Sequence, residues 1–113
     1  MDLDSAVFYS NNIEKIIPFY RDTLGFEVEY IQEDRFVSFI FPNGARLGIK
    51  QGNEEREIPG AQAIFISIES IDEYYSQIKE KGLEIYKEPV NQDWGKNFSI
   101  LDPDKNKVLF VER

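Results

Sequence analysis

The side chains that could do chemistry in this chain are carboxylates, phenols and lysines, because it contains neither histidine nor cysteine. Without cysteine there is no thiolate nucleophile, no disulfide framework and no Cys-based zinc or iron–sulfur site. Without histidine there is no imidazole base and no Ser–His pair. An acid–base centre would have to draw on Tyr9, Glu84, Glu88, Asp93 or Glu112, with Lys50 or Lys107 as electrophile. Twenty-one Asp and Glu lie along 113 residues, so two of them near each other is expected by chance. Most are expected to be solvated surface groups.

The formal net charge is −8. It disfavours nucleic acid and anionic lipid, which need clustered Lys and Arg, and leaves cationic or neutral small molecules as easier ligands. A hydrophobic content of 42%, with nine Phe and six Tyr, is enough to fill a core. The length suits one domain. Met1-Asp2-Leu3-Asp4 is acidic where a signal peptide is basic, and no apolar run approaches the ~18 residues of a membrane span. A soluble, cytoplasmic protein is expected, without nucleic-acid or membrane partners.

Whatever site exists must be positioned by a duplicated plan. Ser5-Ala6-Val7-Phe8-Tyr9-Ser10 is echoed by Ala63-Ile64-Phe65-Ile66-Ser67-Ile68, and each run precedes a helical pattern ending in glycine, Gly25 or Gly82. A turn and closing strand complete each half, 42–49 against 103–110. The offset is 58 residues at the start (5 to 63) and 61 at the end (48 to 109), so the halves differ only in loops.

Period-2 and period-3.6 patterns give strands at 4–10, 27–32, 35–41, 45–50, 62–69, 83–87, 96–101 and 107–112, and helices at 13–24 and 71–81. Asn11 or Asn12 is a natural N-cap for the first helix and Ser70 or Asp72 for the second. Pro18 lies inside the first helix and should kink or loosen it. Asn43-Gly44 is a hairpin signal. The polar stretch 51–60, closed by Pro59-Gly60, reads as a linker. Strand parity gives each half an apolar face for its helix, such as Ile64, Ile66 and Ile68, and a mixed face for solvent, a partner or a ligand.

Pro18-Phe19-Tyr20-Arg21-Asp22-Thr23-Leu24-Gly25-Phe26 and Asp102-Pro103-Asp104-Lys105-Asn106 resemble the vicinal oxygen chelate superfamily of glyoxalase I, extradiol dioxygenases, fosfomycin-resistance enzymes and bleomycin-resistance proteins. Lys105 departs from the family's usual Gly. The resemblance covers essentially the whole chain. It implies an α+β fold of two βαβββ modules in one domain, about 1–51 and 61–113 around a linker of about 52–60, with cupped mixed sheets and the helices outside.

Family enzymes hold a divalent metal with His, Gln or Glu from the first and last strands of each module. The matching positions here are Ser5, Gly48, Ala63 and Leu109, none of which supplies a good ligand for a transition metal. No metal and no other cofactor is expected, and metal-assisted chemistry loses its Lewis acid. The resemblance then points to the branch that binds without reacting. Trp94-Gly95 is similar to that branch's Trp-Gly element, and a flat ring in a loop can stack on planar molecules or hold a cation. The expected ligand-facing set is Tyr9, Phe39, Phe41, Arg46, Phe65, Trp94, Phe98 and Leu109, with core packing as the competing role for Phe39, Phe65 and Phe98 and a structural plug on the sheet edge for Trp94. The expected function is binding or sequestration of a small aromatic or cationic molecule, such as an antibiotic, by a homodimer. The alternatives are a glyoxalase-type lyase or dioxygenase with an atypical site, and a partner-binding module.

Overall fold

A computed structural model describes every residue except Asp2, Ala61 and Arg113. The chain divides into two compact units, Met1–Gly60 and Ala61–Arg113. The first contains β1 (Ala6–Ser10), α1 (Ile13–Pro18), β2 (Glu27–Gln32), β3 (Phe36–Ile40) and β4 (Arg46–Gln51). The second contains β5 (Ala63–Ile68), α2 (Ile71–Glu80), β6 (Ile85–Val90), β7 (Asn97–Leu101) and β8 (Lys107–Glu112). Each unit builds its own four-stranded sheet, in the order β1-β4-β3-β2 and β5-β8-β7-β6. In each, the first and last strands run parallel and the other pairs antiparallel. The fold is therefore α+β with two repeated modules.

The repetition reaches single hydrogen bonds. Asn12 Oδ1 accepts from the Glu14 amide at 3.1 Å and Ser70 Oγ from the Glu73 amide at 3.4 Å, so a short polar side chain caps each helix. The last strand of each unit adds a second anchor. Gln51 Oε1 accepts from the Ile13 amide at 3.1 Å, and Glu112 Oε1 accepts from the Ile71 amide at 3.0 Å.

Two boundaries differ from the pattern in the sequence. The first helix does not run regularly to 24: after Pro18 it widens into a π turn over Phe19–Thr23, with the Leu24 amide donating to the Phe19 carbonyl five residues back at 3.0 Å. Proline has no donor and its ring crowds the preceding turn, so the backbone relaxes outward. The sixth strand does not stop at 87 but continues through Pro89 to Val90. It is the edge strand of its sheet, where a missing amide costs no ladder bond. The stretch 52–60 folds back on the first unit: the Gly52 amide donates to the Ser10 carbonyl at 2.9 Å, and Glu57 pairs with Lys50.

Each core lies between helix and sheet. In the first unit Ile13, Ile16 and Tyr20 are buried against Phe8, Phe39, Leu47 and Ile49. The Tyr20 ring meets Phe39 at 5.7 Å and Phe26 at 5.4 Å. In the second, Ile71 and Ile78 are buried with Phe98, Ile100, Val108 and Phe110, and Tyr74 meets Phe110 edge-on at 4.7 Å. These clusters leave the opposite face of each sheet free for other work.

Candidate functional site

On that opposite face of the first sheet, strand register sets Val7, Gly48, Ser38 and Tyr30 in one row and Tyr9, Lys50, Phe36 and Gln32 in the next. A bulge between Val28 and Tyr30 adds Glu29 to the face. Glu29 accepts from Ser38 Oγ at 2.8 Å and from Arg46 Nε at 2.8 Å. Those two hydrogen bonds, Ser38 first and Arg46 second, hold its carboxyl below the usual range. Lys50 is bound to Glu57, whose other oxygen accepts from the Asn53 and Glu54 amides at 3.0 and 3.1 Å. The Lys50 hydrogen bond and then the Asn53 amide pull the Glu57 pKa down to about 2. Tyr30 stacks on Phe36 at 5.9 Å, and the Phe36 ring covers Gly48. The charges of this face are matched among themselves.

The second sheet's open face is built of other groups. Register sets Phe65, Leu109, Ser99 and Lys87 in one row and Ala63, Lys107 and Leu101 in the next. Phe65 and Trp94 stack at 5.9 Å with their planes 23° apart. They remain 58% and 43% exposed, so neither is a core plug. The Trp94 loop is fixed from below. Asn97 Nδ2 donates to the Gly95 carbonyl and to Gln92 Oε1, both at 3.0 Å, and the Gly95 amide donates to the Gln92 carbonyl at 3.0 Å. Gly95 has φ +136°, and a Cβ there would stand 2.8 Å from Val111 Cγ2. Only glycine lets the loop lie this close to β8.

The candidate metal positions fail a simple fit test. Gly48 offers no side chain, and even a Cβ there would stand 2.6 Å from the Phe36 ring. Leu109 is buried and apolar, while Ser5 and Ala63 offer at most one hydroxyl. Among the described residues no three His, Cys, Asp or Glu group in a way that could hold a metal. The acid–base candidates are dispersed as well. Glu112 anchors α2, Glu84 pairs with Lys105 at 2.6 Å, and Lys50 is taken by Glu57. Glu88 and Asp93 are exposed in β6 and the loop after it, and Tyr9 lies across from Lys50 in the other unit's sheet.

Of the expected ligand-facing residues, Phe65, Trp94 and Leu109 share the second unit's open face, and Tyr9 and Arg46 lie on the first unit's. Phe39 and Phe98 must be removed from the set. Both are fully buried under the helices, Phe39 against Tyr20 and Phe98 against Tyr75 and Phe110. Phe41 is half-buried and packs edge-on against Phe26 at 5.1 Å. The sequence pattern missed Glu29, Phe36, Tyr86 and Asn97. The first and third depend on bulges, which period-2 counting cannot register.

Two repeated βαβββ modules define a class of protein. Residues 2–110 match the family described as the Glyoxalase/Bleomycin resistance protein/Dioxygenase superfamily, and the chain belongs to it. It is similar to a bleomycin resistance protein of Geobacillus stearothermophilus, 28% identical over 90% of this chain and 89% of that protein. It is similar also to the phenazine antibiotic resistance protein EhpR of Enterobacter agglomerans, 33% identical over 85% of this chain and 80% of the relative. A crystal structure of a superfamily member from Sphaerobacter thermophilus superposes with a TM-score of 0.82, at 27% identity, over 100% of this chain and 98% of that one. No helix among the described residues is long and apolar enough to cross a membrane.

Proposed function

We propose that this protein reversibly binds a small planar aromatic molecule, without a covalent step, by stacking it on the Phe65–Trp94 pair. The exposed stack carries the reading: two large rings already aligned on a sheet face offer a third ring a flat, apolar surface. The relatives named for bleomycin and phenazine resistance support sequestration of an antibiotic as the biological use. The family match over 2–110 supports treating both units as one domain.

Trp94 is the single tryptophan, so its fluorescence reports on the site. Titration with phenazine should change that emission saturably. Trp94→Ala should weaken binding by ~1–3 kcal/mol while barely shifting the denaturation curve. A loss of stability with unchanged affinity would remove Trp94 from the site and sink the reading.

The working form we propose is a homodimer. Tyr86 and Val90 on the second unit are 51% and 43% exposed, apolar surface that a second copy would cover. Light scattering should then report about twice 13.2 kDa, independent of modest salt. A clean monomer at micromolar concentration would count against it.

A further inference from the structure

The charge on the stacking face differs from the charge on the chain. Lys107 begins β8 and stands, in the repeat, where Arg46 begins β4. In the first unit the bulge in β2 supplies Glu29, and the Arg46 guanidinium is neutralised at 2.8 Å. In the second unit the bulge in β6, between Ile85 and Lys87, supplies Tyr86. The Lys107 ammonium therefore lies over a ring, 5.5 Å from its centroid, and among the described residues no carboxylate is within ion-pair distance. Lys87, set opposite Ser99 on the same face, also has no carboxylate partner among them. Nearby acids are committed elsewhere: Asp102 accepts from the Asp104 and Asn106 amides, Glu84 holds Lys105, and Glu112 holds the α2 amide. Glu88 and Asp93 are exposed and make no ion pair with either lysine.

A chain with 21 acids and 13 bases thus leaves two cations without counter-charges on the same sheet face as its exposed aromatic stack. Phe65 faces Leu109 across the strand pair, and Lys107 is two residues from Leu109, about 7 Å along β8. Its ammonium rests over Tyr86 of β6, on the other side of β8 from Phe65, so the charge lies across the sheet face from the stack. A planar molecule stacked on Phe65–Trp94 would meet that charge by extending over Leu109 toward β7 and β6. An anion there would gain a charge-assisted contact, whereas a cation would be repelled by both lysines.

We infer that the ligand class is a planar aromatic anion, such as an aromatic carboxylate or phenolate, stacked on Phe65 and Trp94 with its negative group at Lys107. This inference rests on the stacking site proposed above. It reverses the expectation of a cationic ligand drawn from the net charge, because a ligand responds to the local field and not to the sum over the chain.

Three probes with one ring system test it: phenazine-1-carboxylate, neutral phenazine and N-methylphenazinium, titrated calorimetrically into the full chain at neutral pH. The carboxylate is expected to bind about tenfold or more tighter than phenazine, the cation weakest, and the gap to shrink with salt. Lys107→Met, which keeps the aliphatic stem, should erase the carboxylate's advantage and leave phenazine affinity unchanged; Lys107→Arg should retain it. Equal affinities for the three probes, or tighter binding of the cation, would overturn the anion assignment while leaving the stacking site intact. If the carboxylate keeps its advantage in Lys107→Met, the assignment to Lys107 is wrong. If none of the three binds, or Trp94→Ala leaves all three affinities unchanged, the stacking site itself fails and the anion assignment with it.

Discussion

The two sheets share one topology, yet their open faces have diverged in opposite directions. On the first, Glu29 answers Arg46, Glu57 answers Lys50, and Phe36 lies over Gly48. On the second, Tyr86 stands beside Lys107, Leu109 replaces the glycine, and Phe65 with Trp94 stands open. The helix-facing sides did not diverge in this way: both are aliphatic and aromatic, and both are buried. Packing constrains one side of each sheet, because a buried face tolerates only changes that conserve volume. The other side is free to change its chemistry, so one copy has closed on its own charges and the other has kept an open surface.

The largest expected effect tests the division between core and face. Phe98→Ala should cost ~3–5 kcal/mol of folding stability, the usual range for emptying a fully buried aromatic site. Phe65→Ala, on a residue 58% exposed, should leave the denaturation midpoint almost unchanged and weaken phenazine binding instead. Equal stability losses for the two would erase the distinction. A smaller effect sharpens the contrast between Gly48 and Leu109. Gly48→Ala places a Cβ 2.6 Å from the Phe36 ring tip, so the Tyr30–Phe36 stack must shift, at about 1–3 kcal/mol. Urea unfolding of that variant measures it, and no loss at all would mean the ring moves freely.

The smallest effect concerns the charge matching of the first face. Glu57 has its folded pKa lowered to about 2, so its contribution is fully present above the unfolded carboxylate range. That contribution is lost as pH falls through the folded value. Wild type should therefore be more stable than Glu57→Gln by a constant margin from neutral pH to about 5, and the margin should shrink below about pH 4. Denaturation curves at stepped pH check the sign; a margin that grows on acidification would contradict the assignment.

Much of this comparison was legible in the amino-acid order. The 58-to-61 offset, the Asn12 and Ser70 caps and the Asn43-Gly44 turn each have local causes, so the module plan could be read from pattern alone. The bulges were not legible. Each inserts one residue where alternation predicts none, and both deliver the side chain that decides the charge of a face, Glu29 or Tyr86. Parity placed Phe65 opposite the helix-facing Ile64, Ile66 and Ile68, but it did not mark Phe39 and Phe98 as the buried ones of the expected set. Lys105 in the Asp102–Asn106 turn was visible as a departure, and its φ of +69° gives the reason glycine suits that position.

The segment 52–60 carries a consequence for how such a chain could arise. Gly52 and Glu57 fasten it to β1 and β4, and each sheet draws all its strands from one side of residue 60. A genetic cut at that point would take no strand from either sheet and would leave the first half with its own finished end. A half-length gene encoding one βαβββ module, copied and fused, therefore needed no invention at the joint beyond a tail already tied to its parent.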